Sequence, residues 1–151
     1  MTDTTYLLHG IENGGIANPD IDDIDSRDWW DACARHEFTM QQCTDCGAHR
    51  YPPKPLCHVC QSLDFAWQPI DGIGRIYSYT TIIHPVHPSL ADRVPYTAII
   101  VELPQAGGER IIGNLLESDS EDVAIGDDVE LVWEDISEDI SLPQWRRICS
   151  T

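Results

Sequence analysis

The chain has 151 residues, enough for one ordinary domain or two small modules. Apolar residues make up 42%, so a packed core is within reach, yet no apolar run approaches the ~20 residues needed to cross a bilayer. Asp and Glu number 26 against 9 Lys and Arg, and the formal net charge of -17 repels phosphate backbones and argues against nucleic acid.

The opening stretch, Met1 to His9, lacks a basic segment followed by a long apolar one and does not read as a signal peptide. A cytoplasmic location is expected, where cysteines stay reduced and available to metal. Residues 1–25 are expected to form an acidic, loosely ordered N-terminus. Gly14-Gly15 and Asn18-Pro19 break local structure, and Asp20, Asp22, Asp23 and Asp25 repel one another. Asp25 or Ser26 then caps a helix expected over 26–38, with Asp28 favoured by the helix dipole in its first turn. Adjacent Trp29 and Trp30 point about 100° apart on such a helix. That is more apolar surface than one stripe needs, so Trp29, Trp30 and Phe38 are expected to contact a partner.

Residues 39–70 form the cysteine module. Two C-x-x-C pairs, Cys43-Thr44-Asp45-Cys46 and Cys57-His58-Val59-Cys60, stand ten residues apart. This spacing lets two tight turns close four thiolates around one tetrahedral zinc ion, with no position left for a catalytic water. Redox C-x-x-C chemistry would need only one of the pairs. His58 is expected to be an exposed turn residue, and Cys33 and Cys149 packing residues. Short strands are expected at Thr39 to Gln42, His49 to Tyr51 and Phe65 to Trp67. Gly47 suits a positive φ after the first turn, whereas the second is followed by Gln61.

From Gly72 the texture changes to β-branched and aromatic strands: Ile73 to Ile83, Tyr96 to Leu103, Arg110 to Leu116, Val129 to Trp133 and Leu142 to Ile148. Five strands without a helical period predict a mainly β fold, with a five-stranded OB-type barrel over 71–151. His84, His87 and His36 have no nucleophile or paired carboxylate legible beside them, and no catalytic set is identified. Arg50, Lys54, Arg75 and Arg93 are conspicuous cations in an acidic chain. They are candidates to receive coenzyme A phosphates, against the simpler reading of surface ion pairs. The acidity itself fits either a high-salt cytoplasm or a basic partner.

The ordered set of a Trp-bearing helix, Cys43-x-x-Cys46-Gly47, Arg50-Tyr51-Pro52-Pro53-Lys54-Pro55-Leu56-Cys57-x-x-Cys60, Gly72-x-Gly74-x-Ile76-Tyr77-Ser78-Tyr79-Thr80, Pro95-Tyr96, Ile125-Gly126-Asp127-Asp128-Val129 and Leu142-Pro143 resembles one family. It is the rubredoxin-like zinc ribbon plus OB-fold family, first catalogued as domain of unknown function thirty-five. The resemblance covers about 26–148. Gln61 replaces the usual glycine, Lys54 stands where arginine is common, and the acidic N-terminus is longer. The resemblance implies a zinc-binding accessory subunit of a thiolase-like acyl-CoA enzyme: a thiolase, an acyltransferase or an aldolase of steroid side-chain breakdown. The partner, expected to be a dimer, would carry the catalytic residues. The small subunit would complete a hetero-oligomer and shape the channel for the coenzyme A thioester. The alternative is an OB-fold protein binding single-stranded nucleic acid, which would need a basic groove. A self-sufficient small enzyme would need a catalytic set the sequence does not display.

Overall fold

The computed structural model describes residues 19–85, 88–116 and 122–148; the expectation for the acidic N-terminus falls mostly outside them. One short helix leads into a three-stranded ribbon and then a closed five-stranded barrel.

The helix, α1 (Arg27–Ala34), is shorter than the sequence suggests. Ser26 occupies the N-cap, but its hydroxyl turns back to donate to Asp23 Oδ2 at 2.8 Å. At the other end His36 adopts a left-handed φ of 57°. The His36 N–H bonds to Cys33 O at 2.8 Å and the Glu37 N–H to Ala32 O at 2.9 Å. This paired closure satisfies the last carbonyls and stops the helix before Phe38.

The ribbon comprises β1 (Thr39–Cys43), β2 (His49–Arg50) and β3 (Phe65–Pro69), with β1 central and both pairings antiparallel. The barrel comprises β4 (Ile73–Ile82), β5 (Tyr96–Leu103), β6 (Glu109–Leu115), β7 (Asp128–Asp135) and β8 (Ser141–Arg147), closed in the order β4-β5-β6-β8-β7. Along β5 burial alternates strictly, so Thr97, Ile99, Val101 and Leu103 point inward. Tyr77 is an extra residue in β4: Ile76 pairs with Val101 while Ser78 pairs with the adjacent Ile100. Such a bulge bends its strand, which helps the barrel close.

Ribbon and barrel share one core. Trp29, Cys33, Phe38, Met40 and Ile70 pack continuously with Ile76, Ile99, Val101, Ile111, Val129 and Trp145. Trp145 is fully buried, and Phe38 meets it edge-on at 6.2 Å. Gly113 makes room for it, because a Cβ there would sit 2.7 Å from the indole Cδ1. Among the described residues, no helix is long and apolar enough to cross a membrane.

Candidate metal centre and barrel groove

Both C-x-x-C turns are built alike. The Gly47 N–H bonds to Cys43 O at 2.9 Å, and the Gln61 N–H bonds to Cys57 O at 3.0 Å. The Cys43 N–H reaches Ala48 O at 2.8 Å and the Cys57 N–H reaches Ser62 O at 2.9 Å. Gly47 and Gln61 close the two turns with φ of 77° and 63°. For glutamine that left-handed conformation is strained, at about 1–2 kcal/mol. Gln61→Gly is therefore expected to raise the stability of the metal-loaded chain by about 0.5–1 kcal/mol in thermal unfolding, net of glycine's greater unfolded freedom. A lower melting temperature would contradict this.

The turns bring Cys43, Cys46, Cys57 and Cys60 together, with all four sulfurs within 4.8 Å of one another. Two edges are resolved: Cys43 Sγ to Cys60 Sγ and Cys46 Sγ to Cys57 Sγ, each 3.6 Å. Zinc–sulfur bonds of about 2.3 Å place tetrahedral sulfurs about 3.8 Å apart, close to these two edges, so the cluster suits a tetrahedral zinc ion. It does not match a disulfide, whose sulfurs lie about 2.05 Å apart. The backbone N–H groups of Cys60 and Val59 hold the Cys57 thiol down to about 6, which favours the ligating thiolate. Cys33 is the contrast. It is fully buried on the helix, and burial pushes its thiol up to about 12, as suits an inert packing residue. Cys149 lies outside the described residues.

The partner-facing reading of the aromatics needs correction. Trp29 is 2% exposed; its Nε1–H donates to Thr39 O at 2.9 Å, and Tyr51 packs edge-on at 5.5 Å. Phe38 lies beyond the helix, buried between Trp133 and Trp145. Two surfaces, the barrel and the Tyr51 side of the ribbon, accommodate aromatic groups that one core face could not. Only Trp30 of the three keeps part of its ring at the surface.

The four cations do not form one phosphate site. Arg50 is 3% exposed, so it cannot meet an incoming phosphate from solvent. Arg75 pairs with Asp128 at 3.0 Å. Arg93 precedes β5, whereas Arg75 pairs with Glu102 near that strand's far end, roughly 20 Å away by strand rise. Lys54 is exposed in the loop between the cysteine turns.

A groove of about 680 Å³ opens on the barrel wall, a feature unforeseen from sequence. Ile82, Tyr96, Ile112 and Leu142 give it apolar walls, with Arg93 and Glu134 as charged groups in the lining. Its origin lies in the seam where β6 runs parallel to β8 and pairs only at Leu115 and Trp145. The Gln144 side chain bridges this seam: its Oε1 accepts from the Asn114 N–H at 2.5 Å, and its Nε2 donates to Glu134 Oε2 at 2.7 Å.

A second, polar hollow holds His36, Asp135 and Ser141. His36 Nε2 lies 2.7 Å from Asp135 Oδ1, and the Ser141 hydroxyl donates to that same oxygen at 2.6 Å. The Ser141 hydroxyl and then His36 hold the Asp135 carboxyl below the usual range. The serine bonds the carboxylate and not the imidazole, so this is no nucleophile–base pair. His84 is exposed, and His87 lies outside the described residues.

Comparisons with known proteins agree with both modules. The family described as "ChsH2, rubredoxin-like zinc ribbon domain" matches residues 30–66, and "ChsH2, C-terminal OB-fold domain" matches 67–134. A "DUF35 domain-containing scaffold protein" of Methanocaldococcus jannaschii is 31% identical over 75% of this chain and 79% of its own. A "Probable enoyl-CoA hydratase alpha subunit" of Thermomonospora curvata is 33% identical over 81% of this chain; the match spans only 37% of that protein's length. Among solved structures, one described as "Ltp2-ChsH2(DUF35) aldolase" superposes with a TM-score of 0.77 at 33% identity, covering 86% of this chain and 98% of that one.

Proposed function

Because the chain belongs to the DUF35 family of zinc-ribbon and OB-fold proteins, we propose that it is a non-catalytic accessory subunit of a thiolase-like acyl-CoA enzyme. The observation that carries the reading is the likeness, over both modules, to nearly the whole of a chain from an Ltp2–ChsH2 aldolase. The reaction class favoured is carbon–carbon bond making or breaking on a coenzyme A thioester, with lipid or steroid substrates.

Each part of the chain has a role in this proposal. Zinc held by Cys43, Cys46, Cys57 and Cys60 would fix the ribbon as a rigid docking module; with four thiolates the metal has no open position, so its contribution is structural. The partly exposed edge of Trp30 is the candidate docking contact on the helix. The apolar barrel groove is the candidate wall of the acyl channel, and Arg93 in its lining the candidate for an anionic group of the thioester. The acid–base or nucleophilic residues belong to the partner, expected to be a dimer that makes the whole a cytoplasmic hetero-oligomer.

Charge pairing disfavours the nucleic-acid alternative. Arg75, Arg110, Arg146 and Arg147 on the barrel each face an acid, at 3.0, 3.2, 2.7 and 3.6 Å from Asp128, Glu102, Glu130 and Asp127. A strand-tracking surface would instead present cations to phosphates.

The test is co-expression with a thiolase-like protein, followed by size-exclusion chromatography and acyl-CoA assays of the chain, the partner and the complex. A stable complex is expected, with β-hydroxyacyl-CoA cleavage or acyl-CoA condensation absent from the chain alone. Turnover by the purified chain, or salt-sensitive micromolar binding to single-stranded DNA, would overturn the proposal.

A further inference from the structure

Arg50 is a buried cation for which the function so far has no use. The chain carries 26 carboxylates, yet among the described residues none forms an ion pair with it. Its Nη1–H donates to Pro55 O at 3.1 Å. Its Nε and Nη2 are buried without a hydrogen-bond partner. These two nitrogens form one edge of the guanidinium, with parallel donors of the kind that recognise an anion. Leaving such donors unmatched in the interior is strongly unfavourable unless negative charge lies nearby.

Strand register puts a cysteine ligand candidate on the same face. Arg50 lies opposite Gln41, and Cys43 lies opposite Phe65. Opposed residues share a sheet face, as do alternate residues along one strand. Gln41, Cys43, Arg50 and Phe65 therefore share a face, and Cys43 is the diagonal neighbour of Arg50, a spacing of about 7–8 Å in such ladders. The guanidinium carbon sits 5.1 Å from the centre of the Phe65 ring. Pro55, which accepts its hydrogen bond, comes two residues before Cys57. The cation is thus bracketed by the segments that carry both cysteine turns. Four thiolates around one Zn²⁺ leave a net charge of about -2 in a site partly removed from water.

We propose that Arg50 is the charge partner of the zinc–tetrathiolate centre, a positioning residue that offsets its excess negative charge and sets the affinity for the metal. The inference rests on the zinc reading above. Arg50 acts through its field, without ligating the metal. The hydrogen bond to Pro55 and the Phe65 ring hold the guanidinium among the segments that carry the cysteine turns, where a surface arginine would turn to one of the many carboxylates.

The test uses the full chain and its Arg50→Met and Arg50→Lys variants. Zinc affinity is read by competition with a chromophoric chelator, and Co²⁺-loaded samples are read by their thiolate-to-metal charge-transfer bands. Arg50→Met is expected to weaken zinc binding by about 10- to 100-fold, the usual reach of an outer-sphere partner, and to shift the cobalt bands. Arg50→Lys keeps the charge and is expected to recover most of the affinity and the parent spectrum. Equal losses in both variants would mean that Arg50 matters only for packing and would overturn the proposal. Parent-like affinity in Arg50→Met would also overturn it, leaving the zinc reading intact. A parent chain that binds no zinc would overturn both.

Discussion

Cys43→Ser is expected to empty the metal site and unfold the ribbon, the largest single-residue effect available in this chain. Structural zinc contributes apparent binding free energies of about 10–16 kcal/mol at neutral pH, as much as the whole stability of a typical domain. Serine cannot replace a thiolate at that strength, and the other three sulfurs are left as a crowded cluster within 4.8 Å. The damage should spread, because Met40, Phe38 and Ile70 belong to the same core as the barrel residues Ile76 and Trp145. Elemental analysis should fall from one zinc per chain to none, and the thermal transition should move down and broaden. A folded variant that retains full zinc and the parent melting temperature would refute the structural assignment.

The second large effect separates two neighbouring tryptophans. Trp29→Ala removes a side chain that is 2% exposed, together with its hydrogen bond to Thr39 O. Burial of this kind predicts a loss of about 3–5 kcal/mol, visible as a lower melting temperature of the free chain. Trp30 packs against the core but keeps part of its ring at the surface, and its ring centroid lies 4.6 Å from that of Trp29. Trp30→Ala should cost the free chain clearly less and should weaken co-purification with the partner, where a buried aromatic anchor is worth roughly 2 kcal/mol or more. If Trp29→Ala leaves the melting temperature unchanged, the core placement is wrong. If Trp30→Ala binds the partner as the parent does, the helix is not the docking element.

The signals that were legible in sequence are those carried by local pattern. The spacing of Cys43, Cys46, Cys57 and Cys60 closes a cage by turn geometry alone. The β-branched and aromatic runs from Gly72 onward mark the barrel strands, but the inward set of Tyr96–Leu103 is not legible there, because outward Ile100 is as apolar as inward Ile99. What escaped depends on neighbours distant in sequence. Helix α1 ends through His36 in a left-handed conformation, where a glycine would have announced the stop. Trp29 is hidden by Tyr51 and Thr39, and Phe38 by Trp133 and Trp145, contacts that no helical wheel contains. Arg50 reads as a surface cation until strand register places it on the face of Cys43. The groove arises from the sparse seam between β6 and β8, which is a property of strand order and not of either strand's residues.

That strand order also sets the sequence of events during synthesis. The ribbon's pairings, such as Gln42 with His49 and Cys43 with Phe65, are complete once residue 69 has left the ribosome. Short loops close at low entropic cost, so the cysteine turns can gather a metal ion while the barrel is still being made. The barrel must wait. Gly74 finds its partner Val129, and Leu115 its partner Trp145, only when the later strands have emerged. Helix α1, though made before the ribbon, packs against β8. The last of the described strands to be translated therefore both shuts the barrel and completes the seat of helix α1, which until then rests on the ribbon, through Trp29 against Thr39 and Tyr51.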